Sequence, residues 1–142
     1  SGAILMYLAG KTGRLLPRSV RGRYEMLQWL MFQAARLGPT MAQARHLRQS
    51  TADPTPDVID RRIRELRQLY AAIDRELART GAFIAGRQYT IADIAIFPWL
   101  GSRANAELDL DDFEHLRRWR DMLERRPAIR RALGLLAEHR PR

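Results

Sequence analysis

An all-α helical bundle is the fold class the sequence predicts, and three observations carry the prediction. Apolar residues recur at steps of three and four along much of the 142-residue chain, the spacing that aligns them on one face of a helix. Between those stretches stand helix punctuation marks, Thr or Asp ahead of an apolar run and Gly or Pro behind it. No stretch alternates apolar and polar residues convincingly enough to predict a strand. With 46% apolar and 29% charged residues the chain is long enough for one domain with its own core.

Gly2 to Thr12 is rich in Ala, Leu, Ile and Met and stops at Gly13, a residue free to take the left-handed conformation that closes a helix. It reads as a short buried helix. Pro17 then takes the chain out of helix, because the residue before a proline disfavours the α region, and Leu15 and Leu16 are expected to seal the core. A second helix is predicted from about Arg21 to Leu37, with Leu27, Leu30, Met31 and Ala34 on one face. Gly38-Pro39 should interrupt it and restart a helix from Thr40 to about Gln49 at a new angle. Ser50 to Pro56, with turn formers and two prolines, is the only clear linker.

Asp57 to about Arg79 places Ile59, Ile63, Leu66, Tyr70, Ile73 and Leu77 on one stripe and is the firmest helix in the chain. After a connection from Gly81 to Gly86, Tyr89-Thr90-Ile91-Ala92-Asp93-Ile94 carries a capping box. Thr90 is expected to accept from the Asp93 amide and the Asp93 carboxylate from the Thr90 amide, with Tyr89 and Ile94 as a hydrophobic staple. These roles assign Thr90 and Asp93 to structure. The helix they start, Ile91 to about Ala104, is apolar nearly all round and should be central, with Pro98 kinking it. Asp111 or Asp112 can cap the next helix, whose buried stripe would be Phe113, Leu116, Trp119 and Leu123. Arg126-Pro127 ends it and opens a last helix through about Ala137.

Composition narrows the function classes. The chain has no cysteine, so it supplies no disulfide and no thiolate. It has no apolar run of the roughly 18 to 20 residues a membrane span needs, and no signal-peptide pattern at Ser1. The net charge of +9, in which every cation but Lys11 is Arg, raises the question of nucleic acid. Seven arginines lie between Arg117 and Arg131, but Asp121 and Glu124 interrupt them and apolar residues recur among them, so a solvated basic face is the stronger reading. His46, His115 and His139 stand in separate predicted helices without metal-ligand spacing, and no metal site is expected. None of Ser1, Ser19, Ser50 and Ser102 sits in a nucleophile elbow, and there is no phosphate-binding glycine loop.

Gln88 to Trp99, with its capping box, resembles the central helix of the glutathione S-transferase C-terminal domain. Two further pieces agree in order and spacing: Ser1 to Ala9 resembles the start of the helix that closes the family's thioredoxin-like domain, and Trp119 to Leu133 resembles its last two helices. Gln28-Trp29-Leu30, Leu37-Gly38-Pro39, Gln43 and His46 are similar to the nu-like bacterial transferases, with Ala42 and Leu47 where those tend to carry Gly and Phe.

This resemblance implies a division of the chain: 1–13 as the last helix of a thioredoxin-like domain, 14–20 as interdomain linker, and 21–142 as the all-helical C-terminal domain. It places the catalytic residue upstream of Ser1, makes glutathione a substrate rather than a tightly held cofactor, and implies an enzyme that conjugates glutathione to small-molecule electrophiles or reduces disulfides with it. Ser1 matches the serine that holds the γ-glutamyl end of glutathione, and Gln33, Leu37, Thr40, Met41, Ala44 and Arg45 are candidates for the substrate pocket wall. A cytoplasmic homodimer acting in detoxification is the implied setting, with no membrane partner. The alternative is a non-catalytic domain for protein association or ligand carriage.

Overall fold

Helix-forming signals and apolar stripes together produce the architecture of the computed structural model, which describes residues 1–49, 55–100 and 109–138. Along them run α1 (Gly2–Thr12), α2 (Val20–Phe32), α3 (Gly38–Gln49), α4 (Pro56–Thr80), α5 (Ile91–Leu100), α6 (Glu114–Glu124) and α7 (Pro127–Glu138), with one wide π turn, Gln33–Leu37, between α2 and α3. Among the described residues there is no strand, only an isolated bridge in which Phe83 and Gly86 exchange backbone hydrogen bonds of 3.0 and 3.1 Å. Ala104, Ser102, His139 and most of the Ser50 to Pro56 linker lie outside the described residues.

The most apolar helix takes the centre. Ile91, Ala92, Ile96, Phe97 and Leu100 of α5 are all buried, and α5 packs against α1, α2, the π turn and α6. The helix α4 buries Leu66, Leu69, Tyr70, Ile73 and Leu77 against α3 and α6. Each such side chain contributes about 1.5–3 kcal/mol when removed from water, so packing rather than propensity holds a 25-residue helix of mixed charge. The stripe Phe113, Leu116, Trp119 and Leu123 is buried as expected. Gly13 (φ 65°) and Gly81 (φ 74°) close α1 and α4 in the left-handed conformation.

Several expectations give way to tertiary packing. The first helix is not buried: Ala9 alone in α1 is, while Ile4, Met6, Tyr7 and Leu8 are exposed, because α5 covers one narrow side of it. Leu15 is exposed too, and the core is sealed there by half-buried Leu16 and buried Pro17. The buried face of α2 is Met26, Trp29 and Leu30, turned from the expected stripe, so Met31 and Ala34 face out. In α4 the first two turns do not join the core, and Ile59 and Ile63 are exposed.

Gly38-Pro39 does not break the helix. The chain continues from α2 into α3 through the π turn, with the Gly38 amide donating to the Gln33 carbonyl five residues back. Proline can neither donate to nor press against the carbonyl four residues before it, and a widened turn lets the helix pass that point and re-aim. A side chain at Gly38 would place its Cβ 3.2 Å from the Gln33 carbonyl oxygen and 3.3 Å from the Trp99 ring, so the bend sits where backbone and α5 approach closely.

Asp111 and Asp112 do not cap α6; they pair with Arg117 (3.4 Å) and Arg67 (3.0 Å). The cap comes from another helix. The Asp74 carboxylate of α4 accepts from the Leu116 amide at 2.8 Å, satisfying one orphan donor of the first turn of α6. Asp74→Ala is expected to cost about 1–2 kcal/mol, and Asp74→Asn, which keeps an acceptor, less. Equal urea midpoints for the two variants would refute the cap.

Candidate functional site

Two features of the bundle stand out: the bent helix, which carries the residues expected to line a substrate pocket, and a polar node that fixes the start of α5. The node is built on the capping box. Thr90 Oγ1 accepts from the Ala92 amide at 3.3 Å, rather than from the Asp93 amide, while the Asp93 carboxylate accepts from the Thr90 amide at 2.9 Å. Asp93 does more than cap. Its Oδ1 also takes the Ile84 amide at 3.0 Å and the Trp119 indole N–H at 3.0 Å, so one buried carboxylate joins the loop after α4, the start of α5 and the middle of α6. Burial pushes its pKa above the ordinary carboxylate range, while these hydrogen bonds pull it down. Thr90→Ala is expected to lower stability by about 1 kcal/mol without altering any ligand affinity, read by thermal melting and titration.

Sequence inspection missed three partners of this frame: Trp119 on Asp93, Asp74 on α6, and the Leu15 carbonyl, which accepts from the Ile91 amide at 3.2 Å. For two of them a signal existed. Trp119 is an indole N–H on a buried stripe, which needs an acceptor, and Asp74 stands four residues after buried Tyr70 on the edge of an apolar face.

The expected pocket residues all lie along the bent helix between Gln33 and Arg45. Leu37, Met41 and Ala44 are packed into the core, with Met41 sulfur accepting from the Tyr70 hydroxyl at 3.8 Å, and Gln33 is buried at the wide turn. Thr40 is half-buried and Arg45 is exposed. Ser1 stands ahead of α1, where its carbonyl accepts from the Leu5 amide at 3.0 Å and its hydroxyl does not cap the helix. The structure does not bring Ser1 and the wall residues into direct contact through any hydrogen bond described for them. On α4, Glu76 accepts from the Trp29 indole at 3.3 Å and from Arg79 at 2.9 and 2.7 Å. Its hydrogen bond to Arg79 holds the carboxyl below the usual value of 4.5, against burial, so the stabilisation is present above that value and is lost as pH falls through the depressed pKa.

The arginine-rich stretch is engaged within the chain at several points. Arg117 pairs with Asp111, buried Arg120 with Asp121, and the Arg126 guanidinium lies 4.0 Å over the Tyr89 ring. Among the described residues no group of three or more His, Asp or Glu gathers in a metal-binding cluster, and no helix is long and apolar enough to cross a membrane.

The family described as Glutathione S-transferase, C-terminal domain, matches residues 29–127, from Trp29 on the bent helix through the capping node to Pro127. The chain belongs to that family. As a glutathione S-transferase C-terminal domain it is 36% identical over 133 residues to the disulfide-bond oxidoreductase YfcG of Escherichia coli, a match covering 94% of this chain and 61% of that protein. A glutathione transferase from Burkholderia graminis, solved with two glutathione molecules per subunit, superposes with a TM-score of 0.83 at 35% identity, covering 99% of this chain and 60% of that one. One from Pseudomonas putida, solved with a glutathione disulfide per subunit, gives 0.81 at 38% identity over 93% of this chain and 60% of that one. The chain thus spans about three-fifths of the length of these relatives.

Proposed function

We propose that this transferase domain forms the helical half of a glutathione-dependent enzyme that reduces disulfides or conjugates glutathione to electrophiles. The carrying observation is that the match to a disulfide-bond oxidoreductase runs over 94% of the chain, bent helix and capping node included. Glutathione and glutathione disulfide bound in similar structures support the substrate class. Residues 1–13 act as the last helix of a thioredoxin-like domain, 14–20 as the linker and 21–142 as the helical domain; the exposed apolar Ile4, Tyr7 and Leu8 of α1 provide the surface such a domain would cover.

In this reading Ser1 holds the γ-glutamyl end of glutathione, and the reacting thiolate is stabilised by a residue of the thioredoxin-like domain. Thr40 and Arg45, which keep exposed surface, contact the second substrate. Gln33, Leu37, Met41 and Ala44 set the shape of the wall from within. A homodimer acting in the cytoplasm, in detoxification or thiol balance, is the setting that fits these roles.

The test is made on a chain that includes a thioredoxin-like domain upstream of Ser1. It is expected to bind immobilised glutathione and to turn over glutathione with a model disulfide, whereas these 142 residues alone show no turnover, because thiolate and second substrate must be held together by both halves. Failure of the longer protein to bind glutathione would sink the reading.

A further inference from the structure

Leu15 is the one residue other than glycine with a positive φ among the described residues, at 65°. A leucine in the left-handed region costs on the order of 1 kcal/mol, because its Cβ crowds the following carbonyl. Its side chain is exposed and lies outside the buried core. What the conformation achieves is visible at the backbone: it aims the Leu15 carbonyl at the Ile91 amide, 3.2 Å away, the first amide of α5. That donor is left over by the capping box, in which Thr90 Oγ1 takes the Ala92 amide.

The rest of the segment between α1 and α2 is tied down as well. The Pro17 carbonyl accepts from Arg23 Nε at 3.1 Å, Ser19 Oγ accepts from the Gly22 amide at 3.1 Å, and Pro17 is buried. A Cβ on Gly22 would come within 2.8 Å of the Pro17 ring, so helix and linker are in close contact. This linker is a strut rather than a hinge.

We propose that Leu15 is a positioning residue: its left-handed backbone pins the linker to the start of α5 and thereby fixes the direction of α1, and with it the place of Ser1, relative to the bent-helix wall. The part that concerns Ser1 rests on the proposed glutathione reading; the part that concerns α1 does not. The lever is long. From Gly13 to Ser1 the helix extends about 18 Å at 1.5 Å per residue, so a 10° change at the linker moves Ser1 by about 3 Å. A site that must hold its groups within about 0.5 Å cannot absorb that displacement.

Because the chain has no cysteine, a spin-label pair at Ala3→Cys and Gln68→Cys, both exposed positions on α1 and α4, reports the direction of α1 by pulsed electron resonance without background. A single narrow distance is expected for the parent pair and for Leu15→Gly, which adopts the left-handed conformation freely. Leu15→Val, whose branched side chain is excluded from it, is expected to shift the distance by about 2 Å or more or to broaden it. An unchanged distribution in Leu15→Val, or an equal shift in Leu15→Gly, overturns the proposal. Should Leu15→Val not fold, Arg23→Gln removes the bond to the Pro17 carbonyl from an exposed side chain; broadening supports the strut and no change overturns it.

In the longer protein, Leu15→Val is expected to raise the KM for glutathione about tenfold with a smaller effect on kcat, and Leu15→Gly to restore it. A normal KM in a folded Leu15→Val protein overturns the link to Ser1. Absence of glutathione binding in the parent overturns the functional reading instead, and the distance measurement still decides the strut.

Discussion

Asp93→Ala is expected to destabilise the chain by about 3–5 kcal/mol. The carboxylate is 0% exposed and accepts from Ile84, Thr90 and Trp119. Removing it leaves three buried N–H donors without their acceptor, each carrying a desolvation cost. Asp93→Asn, of similar size, keeps one carbonyl oxygen but turns an amide N–H₂ toward donors, and should recover only part of the loss. Urea unfolding read by tryptophan fluorescence measures both.

The pH dependence of that loss has a definite sign. Burial raises the folded pKa of Asp93 above its ordinary value of 3.8. The stabilisation linked to its proton is therefore fully present below that value and is lost as pH rises through the folded pKa. The protonated form is accommodated, since Oδ2 lies 3.2 Å from Thr90 Oγ1 and can donate to it. The stability gap between the parent and Asp93→Ala, in which other titrating groups cancel, should widen as pH is lowered from neutral toward 4. A gap that narrows would show that the donors outweigh burial.

Trp119→Ala is the second large effect, again about 3–5 kcal/mol. Trp119 is 1% exposed, meets Phe97 edge-on with ring centroids 6.2 Å apart, and donates to Asp93 Oδ1. Its truncation empties the space between α5 and α6 and removes one donor from the node. Trp119→Phe isolates the second part, keeping an aromatic ring and losing the N–H, at about 1 kcal/mol plus repacking. Combined with Asp93→Asn the losses should fall short of their sum by more than about 0.5 kcal/mol, because the two side chains share one hydrogen bond. Strict additivity would mean that the bond contributes nothing.

Local chemistry was legible in the sequence wherever it depends on neighbours along the chain. The helix ends at Gly13 and Gly81, the bond from the Thr90 amide to the Asp93 carboxylate, and the stripe from Phe113 to Leu123 follow from residues within a turn or two of one another. So did the family, whose signature lies in the same local segment. The exposure of α1 was not legible, since an apolar helix announces that it needs partners and not whether they are in the same 142 residues. Nor was the face of α2, where Met26 and Trp29 rather than Met31 turn inward because α5 lies on that side.

The sequence by itself determined an all-helical bundle, the order of its helices and the capping start of its central one, because hydrogen bonds over three or four residues need no knowledge of the fold. Only the tertiary structure decided that Asp74 caps α6 from α4, that Asp93 binds Trp119, and that Leu15 reaches Ile91. Those bonds close loops of 42, 26 and tens of residues. Their geometry exists only after the core has formed and has placed donor and acceptor within hydrogen-bond reach.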